Sequence, residues 1–442
     1  MSFVYTLEMV GVQWRVVVLL AVLLTMSSEM LGPHHCPLSV CRWRITNLFA
    51  SGAAHILAEQ LNRDDTGDFC FVSFGCWGNL NKESQKRVAR VMGDVVAGNA
   101  MAGGPPTRFV VAAGDNFYRK GVANVREFRF ITGFDRVYDH PSLMTLPFYM
   151  ALGNHDYRGN FFAQVNYTIY QLQRPEASGR WYLPQAYYAA RVHREMVVVV
   201  LDGPLLERCA NNGDAHERCW DHGRQRGWAE RQLLDVHRNV RWKVVVCHYP
   251  MYANGPHVNF PWLVEWLQPL LDASCATLYI NADNHYLQVS HHHGMFFVNS
   301  GGGAGFGLRH LPTQKKYREH PYSVFVDFAD GVFFHCVNTA NDTIHNVAVN
   351  HEGVRRFEFW SLGPFKRGCR AGSPSPMRRG DSGASNDDDE LHNAALPSVS
   401  IAKTPEAAAE SAIVVGVVMA LVLVTAAVAS LNRRRWSPNK EL

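Results

Sequence analysis

Several features are scarce or absent in this sequence, and each absence excludes a class of protein. Charged residues make up only 19% of the 442 residues and hydrophobic residues make up 47%, which excludes a disordered chain. No internal repeat is visible. The net charge is only +4 and no basic stripe is present, so we expect no nucleic-acid partner. The composition instead predicts a globular protein with a large core.

The N-terminal segment resembles a secretion signal. Arg15 precedes a short apolar run at residues 16–26 that is too short to span a bilayer but fits the hydrophobic region of a signal peptide. We therefore expect a signal peptide over residues 1–31, with Met9 as an alternative start. A buried strand or helix is the competing interpretation of this run.

The C-terminal segment has the length and composition of a membrane helix. Residues 412–431 are apolar, and the arginines that follow predict a cytoplasmic tail at 432–442. Residues 367–411 are rich in Gly, Ser, Pro and charge, which is typical of a flexible stalk. The sequence thus predicts a type I single-pass protein of the cell surface or of an endosomal or lysosomal membrane, with a luminal or extracellular domain at 32–366.

Export has consequences for cysteine and asparagine chemistry. The ten cysteines would enter an oxidising compartment. Two pairs are close in sequence and are candidates for disulfides, although connectivity stays open: Cys36 with Cys41, and Cys209 with Cys219. Asn166 and Asn341 lie in N-x-T sequons, which makes both candidate N-glycan acceptors.

Short apolar runs of strand length recur along the chain, and polar motifs follow them. The runs lie at 69–74, 109–113, 147–152, 196–201, 243–247, 276–280 and 296–299. Helical patterns separate several of them, at 83–96, 228–238 and 262–271. Strands made almost wholly of Val, Phe and Ile are buried on both faces, so helices should cover the sheets of an α/β fold. In such folds the site lies at the carboxyl ends of the strands.

The residues at those strand ends are metal-ligand types. They are Asp115, Tyr118, Asn154, His155, His248 and His285. Oxygen ligands mixed with imidazole suit Fe, Zn or Mn. Asp115 and Tyr118 share one turn, so both can reach the same ion, and a carboxylate can also bridge two ions. A two-metal site activates water and clamps a phosphate group.

Four motifs, in this order, resemble those of purple acid phosphatases, above all the small tartrate-resistant type. They are GDNFY at 114–118, GNHD at 153–156, HYP at 248–250 and HYLQ at 285–288. The resemblance extends over about residues 69–305. It implies a four-layer αββα metallophosphoesterase sandwich of two mixed sheets flanked by helices, to which this chain adds the C-terminal transmembrane helix. It also implies a dinuclear centre of Fe(III) with Fe(II), Zn or Mn.

The resemblance also assigns roles to the ligands. Asp115 would bridge both metals, Tyr118 and His285 would bind the ferric ion, and Asn154 and His248 would bind the divalent ion. The substrate would be a phosphate monoester, hydrolysed in one step.

Two further histidines have catalytic roles in this family pattern. His155 would contact the phosphate or protonate the leaving alcohol. His257 matches a second catalytic histidine, with a surface-loop residue as the alternative. Residues 291–293, three consecutive histidines, fit a polar hairpin turn better than a further metal site.

Two positions depart from the family pattern. Cys76 stands where the family has an iron-binding aspartate, and Asp283 stands where it has the first histidine of GHxH. A carboxylate at 283 can still bind a divalent metal. A thiolate at 76 is softer than a carboxylate, and a neutral or disulfide-bonded Cys76 would remove one iron ligand.

Three functions therefore compete. The first is an acid-phosphatase-type phosphoric monoester hydrolase with an altered metal site. The second is a catalytically degenerate, phosphatase-like ectodomain that acts as a receptor or binding protein. A phosphodiesterase of the same fold is the third. Retention of the other ligands favours the first, and the replaced iron ligand favours the second.

Overall fold

The computed structural model describes residues 67–79, 83–212, 220–255, 260–304 and 319–368. Within these ranges no helix is both long and apolar enough to cross a bilayer. The expected signal peptide, the transmembrane helix, the cytoplasmic tail and nearly all of the stalk lie outside the described residues.

Fourteen strands and five α-helices form the described part of the chain. The strands are β1 Phe69–Phe74, β2 Thr107–Ala112, β3 Phe148–Met150, β4 Trp181–Tyr182, β5 Tyr188–His193, β6 Met196–Val200, β7 Trp242–Val246, β8 Leu278–Asn281, β9 Leu287–His292, β10 Met295–Ser300, β11 Ser323–Asp327, β12 Gly331–Asn338, β13 Thr343–Asn350 and β14 Arg355–Leu362. The helices are α1 Glu83–Met101, α2 Phe161–Tyr170, α3 Gly203–Asn212, α4 Trp220–Glu230 and α5 Pro261–Ala273. Single π-helical or 3-10 turns lie at Ile131–Asp135, Pro141–Leu143, Asp156–Arg158, Gln171–Gln173 and Arg231–Val236.

The strands form two mixed sheets of seven strands each. The first sheet has the order β14-β13-β12-β1-β2-β3-β4, in which β1 to β4 are parallel and β12 to β14 are antiparallel. The second has the order β11-β9-β10-β8-β7-β6-β5, with a parallel centre of β6, β7, β8 and β10. Helices flank the sheets, so the α/β class and the metallophosphoesterase sandwich expected from the sequence are confirmed.

Burial on both faces explains the apolar runs. In β6, Val198 and Val200 join the core between the sheets, whereas Val197 and Val199 join a second cluster with Leu263 of α5. The side chains on both faces of the strand are thus removed from water, so the sequence of the strand is apolar throughout and does not alternate between polar and apolar residues.

A disulfide crosses from the first strand to the twelfth. Cys70 of β1 and Cys336 of β12 are direct partners in the antiparallel register and form the bond. Cys275 is disulfide-bonded as well. Cys36, Cys41 and Cys219 lie outside the described residues, as does the side chain of Cys209, so the pairings suggested by sequence proximity stay predictions.

Candidate metal centre

The carboxyl edges of both sheets supply the predicted ligands. Cys76 follows β1, Asp115 and Tyr118 follow β2, and Asn154 and His155 follow β3 in the first sheet. His248 follows β7, and Asp283 and His285 follow β8, in the second. The site thus lies where the edge of one sheet meets the edge of the other, as expected for ligands at strand ends.

Three of these ligand residues have left-handed backbone conformations. The φ angles are 54° at Cys76, 56° at Asp115 and 66° at Asp283. Each such residue costs about 1–3 kcal/mol and persists only where its surroundings fix it. Here the turns are tied together by main-chain hydrogen bonds: Cys76 N donates to Gly114 O at 2.9 Å, and Ala282 N to His248 O at 3.0 Å.

Two motif glycines make room for the ligands. A Cβ at Gly153 would lie 2.2 Å from Oδ1 of Asp115, and one at Gly114 would lie 2.7 Å from Nδ1 of His248. Gly114 also has a φ of 94°, which a side chain would strain. Close packing against the side chain of a predicted ligand residue therefore explains the first residue of both GDNFY and GNHD.

One half of the site combines sulfur, carboxylate and imidazole. One ligand atom from each of Cys76, Asp115 and His285 lies within 4.8 Å of the other two. The Tyr118 hydroxyl is 3.1 Å from Nε2 of His285. These four side chains therefore converge on one position.

The other half is centred on His248. Its Nδ1–H donates to Ala113 O at 2.8 Å, so Nε2 is the free ring atom. Nε2 lies 3.5 Å from Oδ1 of Asp115 and 3.5 Å from Oδ1 of Asp283. Asp115 thus contributes to both halves, as a bridging carboxylate must.

The donor set fits a pair of cations. His248 Nε2 and Asn154 Oδ1 are both buried and lack a hydrogen-bond partner among the described residues. A buried polar atom without a partner is costly, and a metal ion supplies the missing interaction. A backbone carbonyl that fixes the imidazole tautomer, as Ala113 does here, is the usual support for a metal-binding histidine.

The electrostatic field in the site also favours positive charge. Burial opposes the charged form of His248, but Asp115 and Asp283 outweigh it and raise the pKa to about 9. Burial, reinforced by Asp115, raises the pKa of both the Cys76 thiol and the Tyr118 phenol above their ordinary values. A bound cation reverses this last effect, because it stabilises the anionic ligands.

Asp156 is a site residue whose role sequence reasoning did not identify. Its carboxylate accepts hydrogen bonds from Gly153 N at 2.8 Å, Phe117 N at 3.1 Å and the Gln164 side chain at 2.8 Å. It thereby ties the turn after β2 to the turn after β3. Asp156 is part of the GNHD motif, but its partners are mostly main-chain N–H groups, and these cannot be identified from residue types. Burial and Asp115 raise the pKa of Asp156 to about 6.

Of the two predicted catalytic histidines, His155 lies within the described residues. Nδ1–H of His155 donates to Arg119 O at 2.8 Å, and the main-chain N of His155 donates to Oδ1 of Asp115 at 3.0 Å. His257 lies outside the described residues, so its role stays a prediction. His291 and His292 end strand β9 and His293 lies in the β9–β10 turn, so the predicted hairpin is present but only the last of the three histidines is in its turn.

Comparison with known proteins agrees with this geometry. The family model for calcineurin-like phosphoesterases matches residues 71–295. Purple acid phosphatase 7 of Arabidopsis thaliana is 30% identical over 280 residues, which are 61% of this chain and 81% of that protein. Tartrate-resistant acid phosphatase type 5 of Sus scrofa is 30% identical over 262 residues, 57% of this chain and 73% of that protein.

A solved structure shares the fold. The structure described as GAP50, the anchor in the inner membrane complex of Plasmodium, superposes with a TM-score of 0.56 at 20% identity, over 67% of this chain and 89% of that one. The matched family and the relatives identify the same superfamily, and the solved structure agrees with it in fold. The chain belongs to the calcineurin-like phosphoesterases and is a distant relative of the purple and tartrate-resistant acid phosphatases.

Proposed function

We propose that this protein is a membrane-anchored metallophosphatase that hydrolyses phosphate monoesters. The observation that carries the proposal is the position of Asp115, whose carboxylate lies between the Cys76–His285 group and His248. One bridging carboxylate with nitrogen and oxygen ligands on both sides is the arrangement that a two-metal hydrolase needs.

The ligands divide between two metal ions. Cys76, Tyr118 and His285 would hold one, His248, Asn154 and Asp283 would hold the other, and Asp115 would bind both. The pair would be ferric iron with a divalent metal, as the resemblance to purple acid phosphatases implies, or two divalent ions. Bound there, the metals supply Lewis-acid charge for the phosphoryl oxygens and lower the pKa of bound water.

His155 is the chain's own candidate for proton transfer. The Arg119 carbonyl keeps a proton on Nδ1. In the imidazolium form, Nε2–H can then donate a hydrogen bond to a phosphoryl oxygen or pass its proton to the leaving alcohol. The hydrogen bond from His155 N to Asp115 fixes this residue beside the bridging carboxylate. His257 is proposed as its partner.

The test is phosphatase activity of the full-length protein with defined metals. We expect cleavage of p-nitrophenyl phosphate that is lost on Asp115→Asn and reduced on His155→Ala. The matched control is His345→Gln, on β13 outside the site, which should leave activity unchanged. Activity no higher than that of Asp115→Asn would contradict the proposal, and a preference for bis-p-nitrophenyl phosphate would indicate a diesterase.

The proposal includes a type I topology. Residues 1–31 would direct secretion, 412–431 would anchor the chain, and the site would face the lumen or the exterior of a cell-surface, endosomal or lysosomal membrane. Retention in the membrane pellet after alkaline extraction, and release of the domain by cleavage at 367–411, would support this topology. Solubility of the intact chain after extraction would contradict it.

A binding protein without catalysis is the second candidate. The observation that favours it is Cys76, which replaces the iron-binding aspartate of the family at a fully buried position. A protein of this fold is described as an anchor in the inner membrane complex of Plasmodium. Metal-loaded protein that binds inorganic phosphate but turns over neither ester would support this alternative.

A further inference from the structure

Two buried free thiols have different surroundings, so Cys247 can serve as a reference for Cys76. Of the cysteines whose side chains are described, Cys76 and Cys247 are free, and both are fully buried. Cys247 belongs to the apolar cluster of the second sheet with Val245 and Leu263. Such a thiol behaves as a small hydrophobic side chain.

The surroundings of Cys76 are those of a ligand. Its sulfur belongs to the group that includes a carboxylate oxygen of Asp115 and an imidazole nitrogen of His285, all within 4.8 Å. Within the described residues, this is the group of three His, Cys, Asp or Glu side chains whose ligand atoms lie close enough together to bind one metal ion.

We propose that Cys76 Sγ is a metal ligand and that the Cys76–Asp115–His285 site takes Zn²⁺ in place of Fe³⁺. Cysteine, histidine and aspartate are all zinc ligands in proteins, whereas ferric iron prefers harder oxygen ligands. This half-site keeps the hard oxygens of Asp115 and Tyr118 but has sulfur at position 76. Zinc also has no redox chemistry, so a thiolate ligand beside it is not oxidised by the metal.

Ligation follows a simple proton balance. The S–H bond of Cys76 breaks heterolytically, the proton leaves to solvent, and the sulfur electron pair binds the metal. No oxidant or reductant takes part. The inference rests on the proposed function and adds the identity of the metal in one half-site. Its test is an absorption band that does not depend on catalytic turnover.

The experiment uses Co²⁺ as a spectroscopic substitute for zinc. Full-length protein is freed of metal, loaded with Co²⁺ alone and examined for a thiolate-to-cobalt charge-transfer band in the near ultraviolet. Metal content is measured in parallel. We expect the band in the unaltered chain and in Cys247→Ala, and its loss in Cys76→Ala. Zinc affinity of Cys76→Ala should fall by at least the roughly 10–100-fold that loss of an outer-shell partner costs.

Cys76→Asp supplies the converse test. This variant restores the family's residue, so after exposure to iron it should show the visible tyrosinate-to-iron absorption expected of Tyr118. The unaltered chain exposed to iron in the same way should not, and equal absorption in both would contradict the preference for zinc. Protein that binds cobalt without the band, or a band that persists in Cys76→Ala or disappears in Cys247→Ala, would overturn the inference. Binding of two cobalt ions without the band would contradict the role of Cys76 as a ligand but would still be compatible with the proposed phosphatase function. The band without esterase activity would contradict the phosphatase function and support Cys76 as a metal ligand.

Discussion

A buried histidine outside the metal centre should make stability fall in acid. His335 of β12 is fully buried, with Nε2 2.9 Å from Oγ of Ser73 and Nδ1 2.7 Å from Oδ1 of Asn346. Its ring stacks on Phe71 at a centroid distance of 4.4 Å. Burial lowers the pKa of His335 to about 4, although the hydrogen bond that its Nδ1–H donates to Asn346 opposes this effect.

The sign and size of the effect follow from linkage. In the unfolded chain a histidine has a pKa of about 6.5, so between this value and about 4 the unfolded state binds more protons than the folded state. Stability is therefore intact above the unfolded pKa and is lost as the pH falls through this window. At about pH 5 the loss from His335 alone is about 2 kcal/mol.

A double difference isolates this contribution. Urea unfolding of the unaltered chain and of His335→Gln is measured at about pH 7.5 and about pH 5, with disulfides kept oxidised. The variant is less stable at both values because the buried network is disturbed, but its free energy of unfolding should change less between them, by about 2 kcal/mol. His345→Gln on β13 serves as the control and should keep the original pH dependence. Equal pH dependence in His335→Gln and the unaltered chain would refute the reasoning.

Three further variants test individual contacts. Gly153→Ala places a methyl group against Oδ1 of Asp115, so metal content measured after dialysis should fall, and retained metal would contradict the contact. Asp156→Asn leaves backbone donors facing an amide, which should lower the free energy of unfolding in urea by about 1–3 kcal/mol and lower activity as the turns separate. Cys70→Ala with Cys336→Ala should lower the same free energy by about 2–4 kcal/mol, and an unchanged denaturation midpoint would show that the disulfide adds no stability.

Apart from the two-residue β4, the strands with a parallel neighbour were predicted from the sequence, whereas the strands with antiparallel neighbours alone were not. Parallel strands such as β6 and β7 are buried on both faces, so they appear as uninterrupted apolar runs. In β13, Asn346 is buried because its side chain bonds to His335 and to Ser361. Polar residues satisfied by other strands hide the hydrophobic pattern on which a sequence-based prediction depends.

Within the site, the ligand residues were easier to predict than the contacts that hold them in position. The ligands stand at strand ends in family motifs, and the structure brings those of both sheets together. The role of Asp156 depends on main-chain donors, and the bond between Cys70 and Cys336 spans a sequence separation of 266 residues. Both depend on which strands become neighbours, which spacing along the chain does not specify.

The two departures from the family pattern act together on the charge of the site. Asp283 in place of histidine adds one negative charge beside His248. On the zinc proposal, Cys76 keeps the negative charge of the aspartate it replaces, while the metal beside it carries one positive charge fewer than ferric iron. Relative to the family pattern the site then loses two units of positive charge. Because attraction between metals and a phosphate anion scales with that charge, we expect this site to bind phosphate more weakly than its relatives and to release product more readily.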